Sequence, residues 1–221
     1  MININNTDNK KSTDDKECED VSTDDKECDD VSTDDEEYEE TDCSETFDDI
    51  VNEIPNNVSY INKLKLNNTW YLWYHHHKNN WKIDGYKKIF KIDTIESFWD
   101  LYENFNLIGG IHNKQFFLMR ENINPIWEDV HNKKGGSWSF KIPTFKAYDL
   151  WKELSIYIIG EMLVNDSMDI NGLSISTKNE HITVIKIWNK NKSKNNISLL
   201  PKSILNRFAN NIMYKEHSPE Y

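Results

Sequence analysis

Apolar and aromatic residues are arranged periodically only after about residue 54. Six segments between there and residue 188 have the composition and alternation of strands, and the last two flank the turn sequence KNEH as a predicted hairpin. The predicted strands are Thr69–Tyr74, Tyr86–Ile92, Gln115–Met119, Ser137–Ile142, Gly172–Thr177 and Ile182–Trp188, followed by a short strand near Ile212–Lys215.

Three segments place apolar residues at helical spacing. The first is predicted to begin with Asp93 as its capping residue and Glu96 three positions later. The second runs over about residues 149–161, and the third over about 198–211 with a proline in its first turn. The apolar stripe of the first helix consists of Ile95, Phe98, Trp99 and Tyr102.

Strands joined by short turns, together with three separate amphipathic helices, favour an α+β domain. We expect a mostly antiparallel sheet with the helices packed on one face. The strands and helices do not alternate as βαβ units, and no GxGxxG or GxxxxGK[ST] motif occurs. A Rossmann or P-loop nucleotide site is therefore not predicted.

Charge separates the chain into two parts. Residues 1–53 contain 22 acidic residues and 4 lysines, a net charge of −18, whereas the whole chain carries −12, so residues 54–221 carry +6. The acidic part repeats a polar decad as STDDKECEDV, STDDKECDDV and STDDEEYEET. It has too few apolar residues to offset the entropy of ordering, so residues 1–53 are predicted to be a disordered acidic tail on a basic domain, 54–221.

Neither a metal site nor a membrane segment is predicted. Cys18, Cys28 and Cys43 all lie in the acidic tail without ligand or disulfide spacing. The triplet HHH at 75–77 follows a strand, where adjacent side chains alternate between faces and do not converge on one ion. No apolar run approaches the length of a membrane span. We expect a soluble, cytoplasmic protein without a cofactor.

Two of the eight tryptophans are candidates for ligand binding. Most tryptophans are expected in the core, but Trp81 and Trp127 adjoin polar, turn-like sequence, and a Trp carried on a loop is suited to stacking on a planar base. Glu128 follows directly and can accept the N–H donors of a guanine edge. Since a carboxylate repels phosphate, the combination of stacking tryptophans with Glu128 favours a base that is rich in hydrogen-bond donors and positively charged.

Six segments, taken together, resemble the cap-binding translation initiation factor 4E. Their order and spacing match over about residues 64–221. The resemblance implies a curved, mostly antiparallel sheet of about eight strands, with three helices on its convex face and a slot for the mRNA cap on its concave side. It also implies a binding protein and not an enzyme, monomeric outside the initiation complex. The segments are WYLWY (70–74), IDTIESFWDLY (92–102), NPIWEDVHNKKGGSW (124–138), DLWKELSIYIIGE (149–161), NGLSIS (171–176) and IKIW (185–188).

The resemblance assigns roles to residues of the slot. Trp81 and Trp127 would sandwich the 7-methylguanine base, Glu128 would accept from its Watson–Crick edge, and Trp188 would contact the N7-methyl group. Lys178 stands where the family has an arginine that binds the cap phosphates.

Two positions depart from the family pattern on the phosphate side. Ser137 replaces a residue that is usually basic, and Val184 falls where a phosphate-binding lysine is expected, because the turn after residue 178 is one residue longer. The phosphate contacts are therefore expected to be rearranged. Candidates to replace them are Lys186 and His181, or the run Lys190, Lys192 and Lys194, although such a run is more typical of a solvated loop.

The resemblance also implies a partner surface, on which an amphipathic helix from a scaffold initiation factor or a 4E-binding protein docks. Lys152 replaces an expected leucine there, and Leu64 and Lys65 replace a His-Pro pair, which suggests a changed partner. The expected partner-binding residues are Ile95, Trp99, Glu153, Ile156 and Gly160.

Three functions are compatible with these features. The leading hypothesis is cap binding that recruits mRNA for translation initiation through a scaffold partner. The alternative is a family member that does not bind cap and regulates translation by sequestering scaffold proteins. A cap-processing enzyme is the third, and it lacks a cofactor or metal motif. The abundance of Asn, Ile and Lys is typical of an A/T-biased genome and suits a viral or protist source.

Overall fold

The computed structural model describes residues 63–76, 79–112 and 114–218. Its strands are β1 (Lys65–His75), β2 (Tyr86–Thr94), β3 (Gln115–Arg120), β4 (Gly136–Pro143), β5 (Ile170–Thr177), β6 (Ile182–Asn189) and β7 (Ile212–Glu216). Its α-helices are α1 (Ile95–Glu103), α2 (Ala147–Ile159) and α3 (Lys202–Phe208). The acidic repeats, the three cysteines and His77 lie outside the described residues, so the predicted disordered tail stays a prediction.

The seven strands form one curved, open sheet in the order β2-β1-β3-β5-β6-β4-β7. Every neighbouring pair is antiparallel. The α+β class and the three helices are as predicted, and the described residues hold seven strands where about eight were expected. The third helix is shorter than predicted, because the turns Ile197–Leu199 and Ala209–Asn211 on either side of it are 3₁₀ and not α-helical.

The predicted cap of α1 is wrong by one residue. Thr94 has extended backbone geometry, and its Oγ1 accepts the N–H of Ser97 at 3.1 Å while Ser97 Oγ accepts the N–H of Thr94 at 3.1 Å. Asp93 lies too early for this exchange and instead pairs with Lys91 at 2.8 Å. Glu96 accepts the backbone N–H of Leu64, which anchors the segment before β1 to the start of the helix.

Alternation along the strands gives the sheet two different faces. In β5 and β6, Leu173, Ile175, Ile185 and Ile187 are fully buried in the large core that also contains the buried residues of the helices. The intervening residues point to the opposite face, as the two-residue period of a strand requires. On that face Ser174 pairs with Lys186 across β5 and β6, and Ser176 pairs with Val184.

Most of the tryptophans are in the core, as expected. Trp70, Trp138 and Trp151 have almost no exposed surface.

Within the described residues, no helix is both long and apolar enough to cross a membrane. The same part of the chain contains no group of three His, Cys, Asp or Glu side chains placed to hold a metal ion.

Candidate ligand-binding site

A cavity of about 330 Å³ opens on the face of the sheet opposite the helices. Its floor is formed by alternate residues of β3, β5 and β6, and its walls come from the loops after β1 and β3. The base-binding residues expected from the resemblance all line it, as do two of the three expected phosphate-binding residues. The lining includes Trp81, Tyr86, Phe117, Trp127, Glu128, Ser174, Ser176, Lys178, Val184, Lys186 and Trp188.

Trp81 is exposed on one side and supported on the other. Its indole stacks on the imidazole of His75, with ring centroids 4.5 Å apart and planes inclined by 24°. His75 Nε2 donates to the carbonyl of Asn80 at 2.8 Å, and this hydrogen bond holds the imidazole against the loop that carries Trp81. Trp81 remains 55% exposed, so its other face is available to a ligand.

The loop that carries Trp127 and Glu128 is held from within by Asp129 and Asn132. The carboxylate of Asp129 accepts the N–H groups of Asn124 and His131 at 3.0 and 2.9 Å. The amide of the fully buried Asn132 donates to the carbonyls of Asn124 and Ile126, both at 2.8 Å. Asp129 and Asn132 therefore both stabilise their own loop, and Asn132 is a structural residue that sequence reasoning missed.

Asn171 connects this loop to the sheet. From β5, its side-chain amide donates to the carbonyl of His131 at 2.7 Å and to Oδ1 of Asn132 at 2.9 Å. The loop ends at Gly135, where a Cβ would lie only 1.8 Å from the carbonyl oxygen of Asn189 on β6. This position therefore requires glycine, and the close approach returns the chain to the sheet beside the cavity.

Trp127 is supported by His217, which follows β7. Their ring centroids are 5.5 Å apart with planes inclined by 16°. The centroids of the His217 and Trp188 rings are 4.8 Å apart. His217 Nδ1 donates to the carbonyl of Asn132 at 2.9 Å. Burial, opposed by that hydrogen bond and reinforced by the charge of Lys186, lowers the pKa of His217 to about 4, so the ring is neutral at pH 7.

Trp188 forms part of the floor. Its Nε1 donates to Ser174 Oγ at 2.9 Å, and its ring meets Phe117 edge-on at 6.0 Å. Only 4% of Trp188 is exposed, so it contributes a small, rigidly held surface. Across the cavity, burial and then the negative charge of Glu128 raise the pKa of Tyr86, so its phenol stays protonated beside that carboxylate.

The cavity is basic on one side. Burial, and then the charges of Lys178 and Lys215, lower the pKa of Lys186. Lys186 Nζ lies 6.0 Å from the centre of the Trp127 ring, and Lys215 Nζ lies 5.8 Å from it. Sequence reasoning missed Lys215, because its nearness to Trp127 depends on how β7 pairs with the sheet.

His181 is not brought into this cavity. It lines a second, wider cavity of about 640 Å³ together with Phe145, Tyr148 and Glu180. The turn between β5 and β6 carries residues 178–181, and only Lys178 of these four lies at the first cavity.

The expected partner-binding residues lie on the helical side of the molecule. Trp99 and Ile95 are each 40% exposed, and Ile156 is 36% exposed. Lys152 Nζ lies 5.1 Å from the centre of the Trp99 ring. Both carboxylate oxygens of Glu153 accept from Arg207 Nη2, at 2.6 and 2.5 Å.

Gly160 ends α2 close to these residues. A Cβ there would lie 3.0 Å from the carbonyl of Ile156 and 2.9 Å from Met162 Cε. A side chain at this position would therefore require small shifts of Met162 and of the Ile156 carbonyl.

The family model described as eukaryotic initiation factor 4E matches residues 65–221 of this chain. The chain belongs to the initiation factor 4E family. The match begins at the first residue of β1 and continues beyond β7, so it includes every strand and helix described above. All the residues of the first cavity lie within it.

The sequence is also similar to those of individual members of the initiation factor 4E family. The chain is 30% identical to eukaryotic translation initiation factor 4E-3 of Caenorhabditis elegans over 144 residues, which is 61% of this chain and 57% of that protein. The matched region is thus less than two thirds of that relative. A homologue of the factor in Acanthamoeba polyphaga mimivirus is 24% identical over 231 aligned positions, covering 78% of this chain and 85% of the viral protein.

Solved structures of the initiation factor 4E family share the fold. The complex of the Caenorhabditis elegans factor 4E-3 with the 4E-binding protein Mextli and a cap analogue aligns with a TM-score of 0.60 at 27% identity. The alignment covers 70% of this chain and 93% of that one.

Proposed function

We propose that this chain binds the 7-methylguanosine cap of mRNA in the cavity between Trp81 and Trp127. The observation that carries the proposal is that one cavity is lined by two partly exposed indoles, a carboxylate and two lysines. Each indole is supported by a histidine ring on one side, so its remaining face is held ready for a planar ligand. The family assignment, and a family member solved with a cap analogue, support this choice of ligand.

Stacking and charge together account for recognition of a methylated base. Stacking of a base on an aromatic side chain contributes about 1–3 kcal/mol, and a cationic ring adds a cation–π attraction of roughly 0.5–2 kcal/mol. The 7-methylguanine base carries this positive charge, whereas guanine does not. Glu128 accepts from the donors on the Watson–Crick edge, the backbone N–H of Trp127 donates to the base oxygen, and Trp188 contacts the N7-methyl group.

Lys178 and Lys186 are proposed to bind the phosphates. Both line the same cavity as Glu128, so we expect the base edge to meet the carboxylate and the phosphate chain to meet the two lysines. The protein binds the cap without converting it. Recruitment of the bound mRNA to translation initiation is proposed to pass through a scaffold helix that docks on Ile95, Trp99 and Ile156.

Retention on immobilised 7-methyl-GTP tests cap binding. The full-length chain is expected to bind and to elute with free 7-methyl-GTP but not with GTP. Trp127→Ala should abolish retention, since it removes one of the two stacking faces. Trp99→Ala is the matched control, because it removes an exposed indole from the helical side and should leave retention unchanged. Failure of the wild-type chain to bind, or full binding by Trp127→Ala, contradicts the proposal.

A second candidate function is the sequestration of scaffold proteins without cap binding. The observation that favours it is the apolar Val184 in the lining of the cavity, at a position where the family pattern predicts a phosphate-binding lysine. A pull-down with a scaffold helix distinguishes the two functions. Capture of the helix together with no measurable affinity for 7-methyl-GTP supports sequestration.

A further inference from the structure

Lys215 lies beside the position at which the family pattern predicts a basic residue. On β4, Ser137 is paired with Trp188 of β6 on one side and with Lys215 of β7 on the other. Directly paired residues of antiparallel strands project to the same face of the sheet. Trp188, Ser137 and Lys215 therefore form a row across three strands on the face that carries the cavity.

Ser137 carries no charge at a position where the family pattern predicts a basic residue. Lys215 is placed to supply that charge instead. The serine is short and 98% buried, so it presents no charge to the cavity, whereas Lys215 is exposed. The four-carbon stem of a lysine reaches well beyond its own strand. Its ammonium group lies 5.8 Å from the centre of the Trp127 ring, which is the proposed stacking surface.

Within the described residues, three lysines near the cavity converge without a carboxylate partner. Lys178 and Lys215 are the two charges that, after burial, lower the pKa of Lys186. Within the part of the chain that the structure describes, none of the three forms an ion pair with a carboxylate. Like charges that are brought together disfavour one another, most strongly at the partly buried Lys186, so an anionic ligand would stabilise the cluster.

The lysines of the neighbouring loop are arranged differently. Lys192 pairs with Glu216 at 2.7 Å, and Lys194 pairs with Asp166 at 2.5 Å. These two members of the basic run are therefore compensated by the protein itself. Lys215 adjoins Glu216 in sequence but projects to the other face of the strand, and it forms no such pair in the part of the chain that the structure describes.

We infer that Lys215 binds the phosphate chain of the ligand together with Lys186 and Lys178, and so supplies from β7 the charge that Ser137 lacks on β4. This inference rests on the proposed cap binding and adds to it a residue outside the family pattern. The two ammonium groups beside Trp127 would leave the vicinity of its ring for the phosphate oxygens, while the cationic base occupies the ring face.

The test compares ligands that differ only in their phosphates. Affinities of the full chain for 7-methylguanosine, 7-methyl-GMP and 7-methyl-GTP are measured for the wild type and for Lys215→Gln. The substitution should weaken 7-methyl-GTP binding roughly five- to tenfold, as expected for loss of one charge-assisted contact, and change nucleoside binding less than about twofold. Lys192→Gln is the matched control, since it removes the same charge from the neighbouring loop.

The possible outcomes separate the inference from the function on which it rests. If the wild type binds none of the three ligands, cap binding fails and the inference fails with it. If the wild type binds but Lys215→Gln matches it for every ligand, or weakens nucleoside and triphosphate equally, cap binding stands and the role of Lys215 is overturned. A smaller salt dependence of 7-methyl-GTP binding in Lys215→Gln, but not in Lys192→Gln, supports the inference.

Discussion

The imidazole of His217 lies parallel to the indole of Trp127, with ring centroids 5.5 Å apart and planes inclined by 16°. A residue 90 positions later in the chain thus supports the proposed stacking surface. The same imidazole donates to the carbonyl of Asn132, so one side chain holds both the ring and the loop that carries it. Its second nitrogen, Nε2, is buried without a hydrogen-bond partner in the described residues.

Acid is expected to destabilise the folded chain through His217. Because the unfolded chain takes up a proton near the ordinary pKa of 6.5, and the folded chain only near about 4, the free energy of unfolding falls as the pH is lowered through this interval. The loss attributable to this group approaches about 3 kcal/mol once the pH is below both values. Urea unfolding between pH 7 and pH 4 measures it.

His217→Phe is the control for this pH effect. Phenylalanine keeps an aromatic ring beside Trp127 but cannot be protonated, so the acid-induced loss should be smaller in the variant than in the wild type. Identical losses in the two proteins would show that another group is responsible.

Asn132→Ala should destabilise the loop that carries Trp127 and Glu128. The substitution leaves the partly buried carbonyls of Asn124 and Ile126 without their donor, at a cost of up to about 1–3 kcal/mol for each unsatisfied group. Both the free energy of unfolding and the affinity for 7-methyl-GTP should fall. Asn165→Ala, at an exposed position, should change the free energy of unfolding by no more than about 0.5 kcal/mol. Unchanged affinity in Asn132→Ala would show that the loop does not need this support.

Thr94→Ala should lower the free energy of unfolding by about 1 kcal/mol, because it removes the side chain that accepts the Ser97 N–H at the start of α1. Asp93→Ala should be close to neutral, since the pair of its side chain with Lys91 is exposed, and the substitution keeps the backbone N–H that donates to Ser97 Oγ. Thermal or urea unfolding of the two variants decides between the two capping assignments. A larger loss for Asp93→Ala would restore the assignment made from sequence.

Arg207→Ala should strengthen the docking of a scaffold helix that uses Glu153. In the unbound chain both carboxylate oxygens of Glu153 accept from Arg207, so a basic residue of the partner must first displace it. The pair is largely exposed, and its loss should change the free energy of unfolding by less than about 1 kcal/mol. Isothermal titration with a scaffold peptide is the measurement. Equal affinities would place Glu153 outside the interface.

Sequence reasoning located most elements because each has a strong local pattern. The alternation in Gly172–Thr177 and Ile182–Trp188 reports which residues face the core, and both strands are present in the structure with nearly these bounds. The cap of α1 was misplaced because Asp93 and Thr94 are both good capping residues, and the choice depends on backbone geometry at that position.

The candidate site was predictable where one segment supplies several of its residues. Trp127 and Glu128 adjoin in sequence, and the resemblance added Trp81 and Trp188, all four of which line one cavity. Lys215, Asn132 and His217 were missed because their roles depend on pairings between distant segments. His181 was proposed as a replacement for the missing phosphate contacts, whereas the structure puts it at a second cavity.

The strict alternation of β6 also determines where the chain tolerates a change in length. A shift of one residue within this strand would bring Ile187 to the cavity and carry Trp188 into the core, exchanging the two faces at once. The turn at 178–181 is different, because it lies outside the paired part of β5 and β6. Thr177 and Thr183 form the last pair before the turn, and this pairing does not depend on the length of the turn. An additional residue is therefore accommodated in that turn, and evolution can lengthen the rim of the site without disturbing its floor.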